Sequence, residues 1–250
     1  MINQIVTDIG GVLVPDSFTK KDLMQDFQQN GAAYISLNTM ADAVQTELYG
    51  TNHPNGIAEL VSKIRERAGT NQVGTAQPLI DYIVQQLAAK NKDPLFLDLM
   101  GRVNLASLEA GKLDVPFYDD AEAFLSGLWN GRPRIYTFSN GSEKFQRAMF
   151  RTAKKSKYCS GDLSSYVTQF FDTAMIGKKD NPDSYRKICD TIRSAPREVL
   201  YQSDTLEELD AASSAGLSAK LITRTSNPLA GLGLSVRGRK PKYETFHQLT

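Results

Sequence analysis

The segment from Ile2 to Thr7, apolar at Ile2, Ile5 and Val6, stops at the polar Asp8 and the glycine pair Gly10 and Gly11. A short apolar run closed by turn residues predicts a buried strand. After Pro15 the period changes. From about Phe18 to Leu108 apolar positions recur at helical spacing: Leu23 and Phe27, Leu60 and Ile64, then Ile80, Ile83, Val84 and Leu87. Turn signals at NG, TNHPNG and KDP interrupt this stretch, which reads as a helical module with few strands.

From Tyr118 helix and strand patterns alternate. A helix is predicted from about Asp120 to Trp129, and a strand over Ile135 to Phe138 ends at Ser139. A helix from about Glu143 to Ala153 follows, then a loop rich in Lys, Ser and Gly. Strand FFDTAMI, helix DSYRKICDTI, strand EVLYQ, helix TLEELDAASSAG and strand AKLIT complete the series. Such alternation predicts an α/β fold with a mostly parallel sheet wrapped by helices. The first strand is separated from the others by the helical module. The expected architecture is a Rossmann-like core of residues 1–15 and 115–250 with a mainly helical insertion at 16–114. Internal repeats and low-complexity tracts are not evident.

In an open parallel sheet, ligands bind beyond the carboxyl ends of the strands. Four polar residues fall there in this reading: Asp8, Ser139, Lys179 and Asp204. Each has an ordinary explanation. Asp8 suits a turn, Ser139 suits an N-cap, and Lys179 suits the surface before a helix started by Pro182. Asp204 suits a cap for the helix beginning near Thr205, with Glu207 and Glu208 in its first turn. Their order at successive strand ends favours a shared phosphoryl-transfer site. One carboxylate can form an aspartyl-phosphate. A second lets Mg²⁺ be held together with water and a phosphate oxygen. A hydroxyl, backbone N–H groups around Gly141 and a lysine can hold the phosphoryl oxygens.

Composition narrows the partners. Lys and Arg number 29 against 28 Asp and Glu, so no global field draws the chain to nucleic acid or an anionic membrane. The basic run RGRKPK, beside glycines and Pro241, reads as a solvated loop. Cys159 and Cys189 lack metal-type spacing and suggest reduced thiols, and His53 with His247 makes a poor zinc pair. The N-terminal MINQIVTDIGG has no signal-peptide pattern, and no apolar run approaches membrane-spanning length, so the cytoplasm is expected.

The motifs together resemble the haloacid dehalogenase (HAD) superfamily. DIGGVL from Asp8 is similar to its first motif, TFSNGS supplies the second at Ser139, GKK the motif lysine, and YQSDTLEELDAA the acidic fourth motif. Within that superfamily the chain most resembles the enolase-phosphatases of methionine salvage. Phe18 and Lys20 follow the first motif as in that family, a SYRKI helix follows the lysine, and the SDxxxExDAA form is met by Ser203, Asp204, Glu208, Asp210, Ala211 and Ala212. The similarity is strongest from about Asp114 to Asn227 and weak in much of the helical module.

The resemblance implies roles. Asp8 would be nucleophile and Mg²⁺ ligand, the Gly10 carbonyl a second ligand and Asp204 the third. Ser139, Asn140, Gly141 and Lys179 would hold the phosphate, with Glu208 orienting Asp204 or a metal-bound water. The inserted helices would act as a cap over a small phosphorylated metabolite. Several positions depart from the family pattern. Gly10 stands where an acid usually protonates the leaving group, and Asn104 stands where a tryptophan is usual. Asp114 replaces a basic or small residue, Gln25 a proline, and Thr225-Ser226 a Pro-Gly. The expectation is a Mg²⁺-dependent phosphatase. The alternatives are a catalytically impaired relative that binds a phosphometabolite or protein without turnover, and a HAD enzyme of another reaction type. The sequence does not fix an oligomeric state.

Overall fold

The computed structural model describes residues 2–49, 56–68, 75–89, 91, 93–127, 133–154 and 161–224. The basic run at 237–242, Thr225-Ser226, Trp129, Cys159, His53 and His247 lie outside the described residues.

Among the described residues, five short strands form one parallel sheet: β1 (Gln4–Thr7), β2 (Arg134–Ser139), β3 (Gln169–Asp172), β4 (Val199–Ser203) and β5 (Ser218–Leu221), in the order β3-β2-β1-β4-β5. β1 is central, with Thr7 opposite Thr137 on one side and Gln202 on the other. Side chains alternate across the sheet. Val6, Tyr136, Phe138, Phe171, Val199 and Tyr201 share one apolar face with Tyr185, Ile188 and Leu209 from the helices packed on it. Strands buried in this way read as near-continuous apolar runs, which is why the sequence showed them plainly.

Among the described residues there are eight α-helices. Those of the sheet unit are α5 (Asp119–Gly127), α6 (Glu143–Arg151), α7 (Pro182–Thr191) and α8 (Leu206–Ser214), numbered in chain order after the four below. Their starts follow local chemistry. Asn181 caps α7 by accepting from the Asp183 N–H at 3.0 Å, with Pro182 at the first helical position. Ser142, rather than Ser139, caps α6, accepting from the Phe145 N–H at 3.3 Å. The third strand also stops earlier than its apolar run suggests. The Asp172 carboxylate accepts from the Met175 N–H at 2.7 Å, folding residues after 172 into a turn.

The chain divides into two compact units, residues 1–19 with 114–250, and residues 20–113. The second unit holds α1 (Leu23–Tyr49), α2 (Ile57–Ala68), α3 (Ala76–Ala88) and α4 (Pro94–Glu109). Its core includes Phe27, Leu60, Ile64, Leu79, Ile80 and Leu99. Buried Asn104 is polar with a purpose: its amide nitrogen reaches Asp26 Oδ2 and the Leu23 carbonyl, each at 3.0 Å. Among the described residues no helix is long and apolar enough to cross a membrane.

Candidate active site

β1 delivers Asp8 to the carboxyl edge of the sheet, where its N–H donates to the Gln202 carbonyl at 2.8 Å. The Ile9 N–H then donates to Asp8 Oδ1 at 2.7 Å. Residues 9–14 close on themselves: the Ile9 carbonyl accepts from Leu13 and Val14 at 2.8 and 3.0 Å, and Gly11 donates to the Val14 carbonyl at 2.8 Å. Gly11 sits at φ +73, and a Cβ there would come within 2.2 Å of Asp204 Oδ2. Only glycine permits both that backbone and that approach. Asp204, one residue past β4, therefore lies directly against the turn that follows Asp8.

Lys179 reaches the same place from the loop after β3. The Ser184 hydroxyl donates to the Lys178 carbonyl and the Tyr185 hydroxyl to the Lys179 carbonyl, both at 2.6 Å, so α7 pins the loop. Gly177, at φ +124, lets Ser184 approach; a Cβ on it would lie 2.8 Å from the Ser184 hydroxyl. The Lys179 ammonium lies 2.7 Å from Asp8 Oδ2 and 2.9 Å from Glu208 Oε2, with only 6% of its side chain exposed. It is not the surface lysine that its neighbours in sequence suggest. Glu208 Oε2 also accepts from the Tyr201 and Ser203 hydroxyls at 2.7 and 2.8 Å. The direct hydrogen-bonding partners of Glu208 are thus Lys179 and two hydroxyls, and its effect on Asp204 is one of charge.

The Lys179 ammonium contacts the Asp8 and Glu208 carboxylates, and its charge also reaches Asp204. Burial pushes the Asp8 carboxyl up; Lys179 opposes this, and the Glu208 and Asp204 charges reinforce it. Burial would lower the Lys179 ammonium, but the Asp8 and Glu208 charges outweigh it and raise the group. Asp204 is pushed up to about 6 by burial, then by Asp16 and Glu208. A cluster of carboxylates offering hard oxygen donors suits Mg²⁺. The residues that could hold it are the Asp8 and Asp204 carboxylates with the Gly10 carbonyl, which accepts no backbone N–H among the described residues.

Ser139 ends β2 one strand over, and Asn140 and Gly141 follow on the loop leaving it, rather than inside the ion-pair network. Two residues missed in the sequence hold that loop. Gln146, fully buried, accepts from the Thr137 hydroxyl at 2.6 Å and donates to the carbonyls of Gly141 and Phe171 at 2.7 and 2.8 Å. Asp172 Oδ2 accepts from the Glu143 N–H at 3.0 Å. Asp172 follows an apolar run as Asp8 does, and Gln146 interrupts the apolar face of α6. Both signals were present in the sequence.

A family model for haloacid dehalogenase-like hydrolases matches residues 2–216, and the chain belongs to that family. Its homologues include enolase-phosphatase E1 of Candida glabrata, 31% identical over 88% of this chain and 88% of that protein. Enolase-phosphatase E1 of Debaryomyces hansenii is 29% identical over 90% of this chain and 88% of its own length. The crystal structure of the Unknown transcript 4 protein of Saccharomyces cerevisiae is similar at a TM-score of 0.70 and 26% identity, covering 94% of this chain and 96% of that one.

Proposed function

We propose that this hydrolase is a Mg²⁺-dependent phosphatase that cleaves a small phosphorylated metabolite through an aspartyl-phosphate on Asp8. The observation that carries the reading is the buried Lys179 bridging Asp8 and Glu208, with Asp204 against the same turn. In this reading residues 1–15 and 115–250 are the catalytic core and 16–114 its cap module. It acts in the cytoplasm, in methionine salvage, without nucleic-acid or membrane partners.

An Asp8 carboxylate oxygen attacks phosphorus, and the bond from phosphorus to the leaving oxygen breaks. Lys179, Ser139 and the N–H groups around Asn140 and Gly141 hold the phosphoryl oxygens through this transfer. Glu208 keeps the ammonium aimed at Asp8. Water then attacks the acyl phosphate, releasing inorganic phosphate and restoring Asp8. Mg²⁺, held by Asp8, the Gly10 carbonyl and Asp204, would neutralise charge on the phosphoryl group. Gly10 offers no proton to the leaving oxygen, which favours leaving groups that are stable anions, an enolate above all.

The test is a phosphatase screen over enol, keto, sugar and aryl phosphates with Mg²⁺, run beside Asp8→Asn. Phosphate release by wild type, absent from the variant, is the expected result. Equal release by both marks a contaminant and removes the assignment. No release from any ester while Mg²⁺ still binds would make this a ligand-binding relative without turnover.

A further inference from the structure

The turn that follows Asp8 is gripped by a side chain from the far end of the described chain. Arg224, 5% exposed and three residues past β5, donates to the Val12 carbonyl from Nε at 3.2 Å and from Nη2 at 2.5 Å. Its Nη1 meets both oxygens of Asp120 at 2.8 and 2.7 Å, and Asp120 lies in the first turn of α5. The guanidinium carbon sits 4.1 Å from the centre of the Tyr118 ring. The Tyr118 N–H donates to the Leu13 carbonyl at 3.0 Å, so the same short segment grips the turn by backbone as well.

We infer that Arg224 is a positioning residue for the nucleophile: through Val12 it fixes the 9–14 turn, and with it the placement of Asp8 against Asp204. The inference rests on the phosphatase reading for its catalytic consequence only. Val12, Leu13 and Val14 are fully buried, so the turn has no solvent on its inner side to replace lost donors. Gly11 leaves no slack between the turn and the Asp204 carboxylate. A turn that drifts therefore changes the spacing of the two acidic groups on which transfer depends. Lysine cannot substitute, because a single ammonium nitrogen cannot meet the Asp120 carboxylate, offer two further nitrogens to the Val12 carbonyl, and stack flat on Tyr118.

Arg224→Lys and Asp120→Asn should keep the fold yet loosen the turn. Two measurements decide it: hydrogen exchange of residues 9–14 against that of β4, and kcat against KM for p-nitrophenyl phosphate with Mg²⁺. The expected result is faster exchange confined to the turn, with kcat down roughly 10- to 100-fold and KM little changed. Unchanged exchange in the turn overturns the inference, as does acceleration spread evenly over turn and sheet. A loosened turn with wild-type kcat overturns it too, since the grip is then only structural. A wild-type chain that releases no phosphate refutes the phosphatase reading instead, and turn-local exchange alone then decides whether Arg224 holds the turn.

Discussion

Lys179 stands 2.7 Å from Asp8 Oδ2, and both side chains are nearly closed to solvent. Among the described residues, the Lys179 charge acts on Asp8 against those of Glu208 and Asp204. Removing the cation and removing the nucleophile should therefore have opposite effects on stability. Lys179→Met leaves buried carboxylates uncompensated and should destabilise the protein by about 3 kcal/mol or more. Asp8→Asn relieves the surplus and should raise the unfolding temperature in metal-free buffer at pH 8. Thermal denaturation of both variants checks the pair; a lower midpoint for Asp8→Asn would contradict the charge surplus.

The raised carboxyls fix a pH dependence. Asp204 moves from 3.8 to about 6, and Asp8 moves in the same direction. A folded-state value above the unfolded one means stability that is full below about pH 4 and lost as pH rises through the folded value. The metal-free protein should lose unfolding temperature from about pH 5 to 8. Mg²⁺ should reverse the trend, because it binds the deprotonated groups, and its affinity should rise across the same window. Scanning calorimetry of wild type and Asp204→Asn, with and without Mg²⁺, checks this. The variant should show a shallower slope and weaker Mg²⁺ binding.

A carboxyl can be built at position 10 at modest cost. A Cβ on Gly10 would lie 3.3 Å from the Thr19 hydroxyl and 3.4 Å from its methyl, and its backbone is not left-handed. Gly10→Asp should fold after a small shift of Thr19. It should speed hydrolysis of alkyl phosphates by roughly a hundredfold, with little gain for p-nitrophenyl phosphate. Asp8→Asn/Gly10→Asp should be inactive on both. Equal gains on both substrate classes in steady-state assays would show that leaving-group protonation is not what Gly10 lacks.

Gly11 tolerates no such addition. Gly11→Ala would place a methyl 2.2 Å from Asp204 Oδ2, at a φ of +73. The backbone alone costs about 1–2 kcal/mol, before the carboxylate is displaced. Chemical denaturation should show a loss of at least that size, and calorimetry should show weakened Mg²⁺ binding. A variant as stable as wild type would mean that the turn can move away from Asp204.

The strand ends were legible because apolar runs stop where the chain leaves the sheet, and Asp8 and Asp204 lie just past β1 and β4. The limits of β3 were less so. Apolar residues resume at Ala174 to Ile176 after Asp172 and Thr173, and the Asp172 carboxylate accepting from the Met175 N–H turns the chain there instead. The burial of Lys179 was hidden, since its neighbours in sequence are polar and its counter-charges come from distant strands. Arg224 and Asp120 were hidden for the same reason: 104 positions separate them along the chain. Periodicity reports which face an element buries. It does not report which distant charge meets it.

The central place of β1 has a consequence for how the molecule is assembled during synthesis. Gln4 pairs with Arg134 on one side and with Val199 on the other, so the first strand made is completed by strands made much later. Until residue 203 has emerged, Ile5 and Val6 have no complete sheet to enter, and the ribosome-bound chain carries an unpaired apolar segment. The helices of residues 20–113 contact one another and are contiguous in sequence, so they need not wait. Its brevity, at four residues, limits how much β1 exposes in the interval.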